Sequence, residues 1–451
     1  MAALSAPFVA PHAAQAQTLN EALTAAYENN PTLNAQRAAT RQTDEGFVQA
    51  RSGFLPQVSV SATYGARRVE TEQTFAGATT RTKNTTEPNS YGLQASQTLF
   101  AGGRRLAQLG LAEAQIDVAQ ETLRITEQQV LLSAVAAYVN VRRDQEALEI
   151  RLANVQLLEE QLRAARERFQ VGVLTRTDVA QAEARLAGAL AGVAGARADL
   201  ESSKASYEQV IGAAPEGLTA PPAIAGLPKD LSEAVAMAVE ASPVLQRAQF
   251  AESAARELVK IEGADLLPNL SIVGRIDRTF DQAGAGIGQD ITSATAQLSI
   301  PLFEGGLVRS RTRAAKIGVD RAQAQVEEAR RAVVAQVVEA WNDHQATLRV
   351  IDASRRQVEA SRLALEGATL ESEIGERTTL DVLNARQELL EAQLQLVRSE
   401  RDSYVAANAL LASMGMLDAR GLALDVSAYD PQKHREAVRW RVFSTDPAVS
   451  R

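Results

Sequence analysis

The chain repeats itself, and this limits what it can fold into more than any other feature. Asn30-Pro31-Thr32-Leu33 is answered by Ser242-Pro243-Val244-Leu245, 212 residues on, and Phe54-Leu55-Pro56 by Leu266-Leu267-Pro268 at the same offset. Leu99-Phe100-Ala101-Gly102-Gly103 is answered by Leu302-Phe303-Glu304-Gly305-Gly306 at an offset of 203. That second offset then holds for Val171-Gly172 with Ile374-Gly375, for Asp178-Val179 with Asp381-Val382, and for Gly212 with Gly415. The register therefore changes once, by nine residues, between the Pro and the Phe-x-Gly-Gly signatures. A segment that absorbs nine residues is a surface connection, whereas one that absorbs none is a rigid element whose length matters. The repeats are placed at 17–214 and 231–417. Between them lies a linker, 215–230, that carries Pro215, Pro221, Pro222 and Pro228.

The variable segment reads as a β-hairpin. Val58, Val60, Ala62 and Tyr64 alternate with Ser59, Ser61 and Thr63 on the way out. Tyr91, Leu93, Ala95 and Leu99 alternate with Gly92, Gln94, Ser96 and Thr98 on the return. The second repeat has Leu270 and Ile272 going out, then Ala294, Ala296, Leu298 and Ile300 returning. Such runs match the ~9–11 residues of a tilted membrane strand, and also a half-buried soluble hairpin. The connecting segments, 67–89 and 277–292, are rich in Thr, Asn, Gly and Asp and are expected to be long exposed loops.

After each hairpin comes a long helical pattern. Residues Arg104–Gln170 contain no Pro, and at 1.5 Å per residue they would extend roughly 100 Å. Leu109, Ile116, Leu123, Val130 and Ala137 are spaced by seven, a four-residue step leads to Val141, and Leu148, Val155, Leu162 and Phe169 resume the sevens. This is a coiled-coil seam with one stutter. The offset of 203 reproduces it as Val319, Val326, Val333, Ala340, His344, Ile351, Val358, Leu365 and Ser372. The return helix, Arg176–Ile211, is about half as long, so the helix before the hairpin, 32–54, is expected to back the remaining half. Tyr138 and Trp341 occupy equivalent positions near the middle of the long helices and read as packing anchors.

Composition removes other classes. Aromatics are 4% and Cys is absent, which disfavours large globular cores, disulfide frameworks and a lipid on an N-terminal Cys. A net charge of -8 argues against a nucleic-acid partner. No run reaches the ~18 apolar residues of a membrane-spanning helix, so a membrane would have to be crossed by strands. Residues 1–16 end in Ala14-Gln15-Ala16 and read as the remnant of a signal peptide, though without a positively charged start. His12, His344 and His434 lie far apart, and nothing has the spacing of a metal site, a nucleophile–base pair or a phosphate loop. Neither cofactor nor enzymatic activity is expected.

In order and register these features resemble the TolC family of outer-membrane channels over nearly the whole chain. The two Leu-Phe-x-Gly-Gly signatures (Phe100, Gly102, Gly103 and Phe303, Gly305, Gly306) and the turns at 171–178 and 374–381 carry the match. The resemblance implies a mostly α fold with four membrane strands per chain. Three chains would close a twelve-stranded barrel, because unpaired edges in lipid are costly, and continue it as a helical barrel across the periplasm. It implies a homotrimer in outer-membrane lipid, working with a periplasmic adaptor at the turns Val171-Gly172 and Ile374-Gly375 and with an inner-membrane ABC transporter. The tail, 418–451, with Tyr429-Asp430-Pro431, His434 and Trp440, resembles the type I protein-secretion branch and is assigned to an equatorial region or to disorder. The alternatives are a drug-efflux duct and, from another class, a periplasmic coiled-coil scaffold or adhesin.

Two pairs of residues carry the expected site. Thr175-x-x-Asp178 and Thr378-x-x-Asp381 both fit a capping box with Asp in the Glu/Gln role. The resemblance also places Asp381 in the pore constriction, where three copies would form an acidic ring, with Asn384 where the family often has a second Asp. It implies a tip lock joining Arg377 to Thr177, and Asp178 to position 372, where Ser372 stands in place of a Tyr. Phe100 and Phe303 fall at strand ends, where aromatic girdles occur.

Overall fold

The computed structural model describes residues 17–282 and 286–447; the expected signal remnant, 1–16, lies outside the described residues. The duplication is visible in the element boundaries. Helices α1 (Leu19–Asn29) and α2 (Pro31–Ser52) recur 212 residues later as α5 (Leu231–Ala241) and α6 (Pro243–Ala264). Helix α3 (Arg104–Gln170) and α7 (Leu307–Glu373) are both 67 residues long, and α4 (Arg176–Ile211) recurs as α8 (Thr379–Ser413). The sequence marks these ends chemically. Thr18 opens α1 with a capping box to Glu21. The Asn30 side chain accepts from the amides of Thr32 (2.9 Å) and Leu33 (3.3 Å), while Pro31 takes the first helical position, where its missing N–H costs nothing. Gly212 closes α4 at φ 87°, and Gly415 follows α8 at φ 80°, where a Cβ would lie 2.7 Å from the Ala241 carbonyl.

The described chain forms two compact units, each drawn from both repeats. One comprises residues up to 39, 120–246 and 327–429, and its core is helical. Tyr138 and Tyr207 are fully buried there, with ring centroids 6.4 Å apart. The Tyr138 hydroxyl lies 2.9 Å from the carbonyls of Gln17 and Thr219, and the Tyr207 hydroxyl donates to Gln17 Oε1 (2.8 Å). These two phenols thus tie the N-terminal segment and the linker to α3 and α4. Burial pushes both phenols up in pKa, so they stay neutral and can keep donating.

The other unit comprises 40–119, 247–326 and residues from 430 on. Its sheet runs β1 (Gln57–Tyr64), β4 (Asn89–Ala101), β5 (Asn269–Phe280), β6 (Gly288–Ser299), with every neighbour antiparallel. The β4–β5 pairing joins the two repeats, and β1 and β6 are the sheet edges. Cross-strand partners put Val60, Leu93 and Ile276 in one row and Val58, Ala95 and Gly274 in the next, so the apolar positions share a face. A bulge between Thr98 and Phe100 seats Phe100, rather than Leu99, opposite Leu270. That apolar face is open in a single chain, with Val58 65% and Val60 80% exposed.

The expected loop at 67–89 is corrected. It contains a two-stranded ribbon, β2 (Arg67–Phe75) with β3 (Ala78–Thr86), turned at Ala76 and Gly77, which both have positive φ. Polar cross-strand pairs hold it, including Lys83 with Glu70 (3.1 Å) and Arg81 with Glu72 (3.3 Å). With scarcely any apolar alternation there was no period-two signal to read. In repeat 2 the corresponding strands run through Phe280 and resume at Gly288, so the connection at 277–292 is likewise shorter than the expected loop.

The tail enters this unit as α9 (Pro431–Val438). His434 and Asp44 of α2 are both buried, with Nδ1 and Oδ2 2.8 Å apart. Burial pushes the Asp44 carboxyl up, and the hydrogen bond to His434 opposes that shift. Arg435 reaches Glu113 (3.5 Å) and Asp117 (4.0 Å) of α3.

Candidate functional site

The two hairpin tips are built alike. Each long helix ends on a glycine in the left-handed region, Gly172 (φ 80°) or Gly375 (φ 83°). In the first tip the Gly172 amide donates to Phe169 O (3.0 Å) and the Val173 amide to Arg168 O (2.9 Å). In the second the Gly375 amide donates to Ser372 O (3.2 Å) and the Glu376 amide to Glu371 O (2.9 Å). Helix end and turn are therefore closed by backbone bonds that only a residue tolerant of positive φ permits. This leaves Val171, Val173 and Ile374 at least 70% exposed, as apolar knobs on the turns.

The return helices start with the expected boxes. Thr175 Oγ1 and N donate to Asp178 Oδ2 (2.7 and 2.9 Å), and the Asp178 amide donates back to Thr175 Oγ1 (3.3 Å). Thr378 and Asp381 repeat the arrangement at 2.7, 3.0 and 3.3 Å. The Thr hydroxyls, then the Thr backbone amides, hold both carboxyls below the usual carboxylate range, and Arg377 adds a smaller pull on Asp381. Both boxes use Oδ2 alone, so the cap does not consume the carboxylate.

The remaining site residues separate by partner. Arg377 pairs with Glu371 of its own hairpin. Asn384 Oδ1 accepts from Arg185 Nη2 (2.8 Å), a bond between α8 and α4 that sequence reasoning missed. Arg185, Arg151 and Arg386 line one cavity of about 310 Å³ between α3, α4 and α8, and burial lowers the Arg386 pKa. Nothing in the sequence distinguished these arginines from solvated ones. The nearest signal is Gly192 on α4, where a Cβ would lie 2.7 Å from Arg151 Nη1. The first tip is packed by Leu162, Ala165 and Ala182 with Leu174, Val179 and Leu186, and Arg166 pairs with Glu183 (2.7 Å) across it.

Paired tips, duplicated 67-residue helices and a four-stranded sheet make a definite set, and its relatives are known. The profile of the family described as outer membrane efflux protein matches residues 22–213 and 234–416, one segment in each repeat. The chain belongs to that family. It is 36% identical to Outer membrane efflux protein BepC of Brucella suis biovar 1 over 441 residues, covering 98% of this chain and 94% of BepC. It is 27% identical to Outer membrane protein TolC of Salmonella enteritidis over 357 residues, covering 75% and 70%. Alkaline protease secretion protein AprF of Pseudomonas aeruginosa matches at 26% over 340 residues, covering 73% and 70%. Among solved structures, the outer-membrane channel OprN superposes with a TM-score of 0.73 at 25% identity, over 88% of this chain and 89% of that one. The protein is thus an outer-membrane channel component that extends into the periplasm, from a family of channels rather than enzymes.

Proposed function

We propose that three copies of the chain close into one passive export duct. The observation that carries this reading is the sheet. Among the described residues, both of its edge strands, β1 and β6, lack an outer partner, and its apolar face is open. Unpaired backbone and apolar side chains can both be accommodated in lipid only by closure of the sheet. Detergent extraction should yield a trimer, by mass and by crosslinking. A monodisperse monomer with intact secondary structure would overturn the reading.

In that trimer Asp381 is the residue proposed to set ion selectivity at the periplasmic entrance. Its cap leaves Oδ1 outside the box, so capping and a ring of charge are compatible. Asp381→Asn should weaken cation preference in single-channel recordings while the duct still assembles. Asn384→Asp should add less than a full second ring, because Arg185 would neutralise it. Unchanged selectivity with lowered tip stability for Asp381→Asn would reduce the carboxylate to a cap. The proposed lock pairs Arg377 with Thr177 and Asp178 with Ser372 of adjoining tips. For that, Arg377 must give up Glu371, which makes the lock an exchange of partners. Val171, Gly172, Ile374 and Gly375 are the proposed adaptor contacts, on the strength of the exposed apolar turns.

For the cargo, we favour unfolded polypeptide, driven by an inner-membrane ABC transporter through an adaptor; the resemblance of the tail and the match to AprF support it. A drug-efflux role is the second reading, favoured by the match to BepC over nearly both whole chains. A deletion strain separates them. Loss of an extracellular polypeptide with unchanged drug susceptibility supports secretion, and the reverse supports efflux.

A further inference from the structure

We propose that the C-terminal tail is a second membrane contact, in which Trp440 and its flanking arginines sit in the headgroup layer of anionic phospholipid on the periplasmic side of the outer membrane. Trp440 is 74% and Phe443 98% exposed, although they follow a helix whose own His434 and Val438 are buried. The arginines around Trp440 are arranged as an interfacial group. Arg51 lies 4.8 Å and Arg439 5.8 Å from its ring centroid, and Arg51 also bonds the Arg439 carbonyl. Among the described residues, neither these two nor Arg441 has a carboxylate partner, whereas Arg435, one turn earlier, faces Glu113 and Asp117. Arg441 does reach the backbone carbonyl of Asp446 (2.9 Å), but no ion pair to that carboxylate forms. Three arginines against one acid around an exposed indole fit an anionic interface.

The position in the fold agrees. Arg51 is in the last turn of α2, and Gln57 opens β1 six residues later, a reach of at most about 20 Å. Between them, the Phe54 carbonyl accepts from Gln97 of β4 (3.1 Å), so this stretch is fixed to the helical end of the sheet. At that end Leu55, Leu267, Leu302 and Phe303 are also exposed, an apolar rim continuous with the lipid-facing strands. The buried His434–Asp44 pair and the Arg435 contacts hold the tail against α2 and α3, beside this rim.

The chain has only two tryptophans, Trp341 and Trp440. In full-length Trp341→Phe, reconstituted in vesicles, fluorescence therefore reports Trp440 alone. Phosphatidylglycerol brominated near the headgroup should quench it at least twofold more than lipid brominated deep in the chains. Phosphatidylcholine brominated at the same shallow position should quench it less. Arg439→Gln with Arg441→Gln should remove the preference for the anionic lipid while the assembly stays intact on a gel. Equal fluorescence in brominated and plain vesicles of both lipids would overturn the proposal, as would protection from both lipid and aqueous quenchers, which would place Trp440 against protein. Because the proposal rests on strands in the membrane, Val60→Trp in a chain lacking both native tryptophans serves as control. Quenching there, without quenching of Trp440, refutes the tail contact and leaves the barrel standing. Should Trp341→Phe not assemble, Trp440→Phe in the native chain gives the same answer as the loss of the quenchable fraction.

Discussion

Helices α3 and α7 have the same length, the same neighbours in sequence and the same heptad seam, yet the first seam is mostly buried and the second mostly half-buried. In α3 the seam residues Ile116, Leu123, Val130, Ala137, Val141, Val155 and Leu162 are buried. In α7 only Val333 and His344 of the equivalent set are buried, and the helix also exposes Ile317, Leu363 and Leu370 at 59–70%. A duplication that kept the pattern but buried it less deeply is what the proposed assembly requires, since the second seam would then be completed by a neighbouring copy. In that proposal the first repeat supplies a packed wall and the second the wall that meets the neighbouring copy. The strand pairs differ in a complementary way, since repeat 1 extends its connection into a ribbon and repeat 2 closes it within a few residues. Length is free where nothing packs and fixed where a seam must stay in register.

The harshest test of that contrast is an insertion. Nine residues at Thr79, in the exposed ribbon, should leave assembly and export near the native level. The same insertion at Leu123 shifts the buried seam by a heptad plus two positions and should abolish both, read as loss of detergent-stable trimer and of transport. Equal tolerance at the two sites would end the rigid-wall reading. A gentler probe compares matched seam positions. Ile116→Ala empties a fully buried site and should cost about 2–5 kcal/mol in unfolding. Val319→Ala, at its half-buried counterpart, should cost about 1 kcal/mol or less within a chain and act mainly on dissociation of the assembly. If both act alike on the chain and neither on assembly, α7 is not an interface.

This contrast also marks what the sequence made legible. The tip ends were readable because Gly172, Thr175 and their copies act locally, through caps and glycine turns that require no knowledge of the rest of the fold. Asn30-Pro31, by contrast, was read only as a repeat signature, and the short helices α1 and α5 before it and its copy were not foreseen. The seam was readable because heptad spacing survives in linear form. The ribbon was not, since its stability comes from polar cross-strand pairs such as Lys83 with Glu70, which leave no hydrophobic period. The Arg185–Asn384 bond was also hidden, because it depends on how α4 meets α8 in space. Nor did the sequence tell that Arg377 would turn to Glu371 in its own hairpin.

The Phe-x-Gly-Gly signature sharpens the comparison at one atom. Gly102 and Gly305 share a left-handed backbone, φ 59° and 63°. A Cβ on Gly102 would lie 2.4 Å from the Ala264 carbonyl and 2.7 Å from Leu267 Cβ, whereas one on Gly305 would meet nothing within 4 Å. Gly305→Ala therefore carries only the backbone penalty, about 1–2 kcal/mol. Gly102→Ala adds a backbone clash of about 1–3 kcal/mol more. Equal losses in thermal unfolding would show that the two repeats are packed alike at this corner.

The smallest expected effect is the most discriminating for the entrance. Thr175→Ala and Thr378→Ala should each cost about 1 kcal/mol of local tip stability, because the two caps have the same geometry. The carboxyls of Asp178 and Asp381 are both held below their ordinary value of 3.8, so the folded tip binds a proton less readily than the unfolded one. The stabilisation is therefore complete above that value and fades as pH falls through the lower, folded pKa. In a separated chain the two tips should fade together on acidification, followed by hydrogen exchange at the amides of Asp178 and Asp381. In the assembled trimer they should part. If Asp381 is one of three facing carboxylates, its neighbours oppose its ionisation and raise its pKa against the pull of its own cap. Its tip should then loosen at a higher pH than the Asp178 tip, and added multivalent cation should bring the two back together. Two tips that still fade at one pH in the trimer would mean that Asp381 faces no like charge, and the proposed ring would be refuted whatever the conductance of the duct.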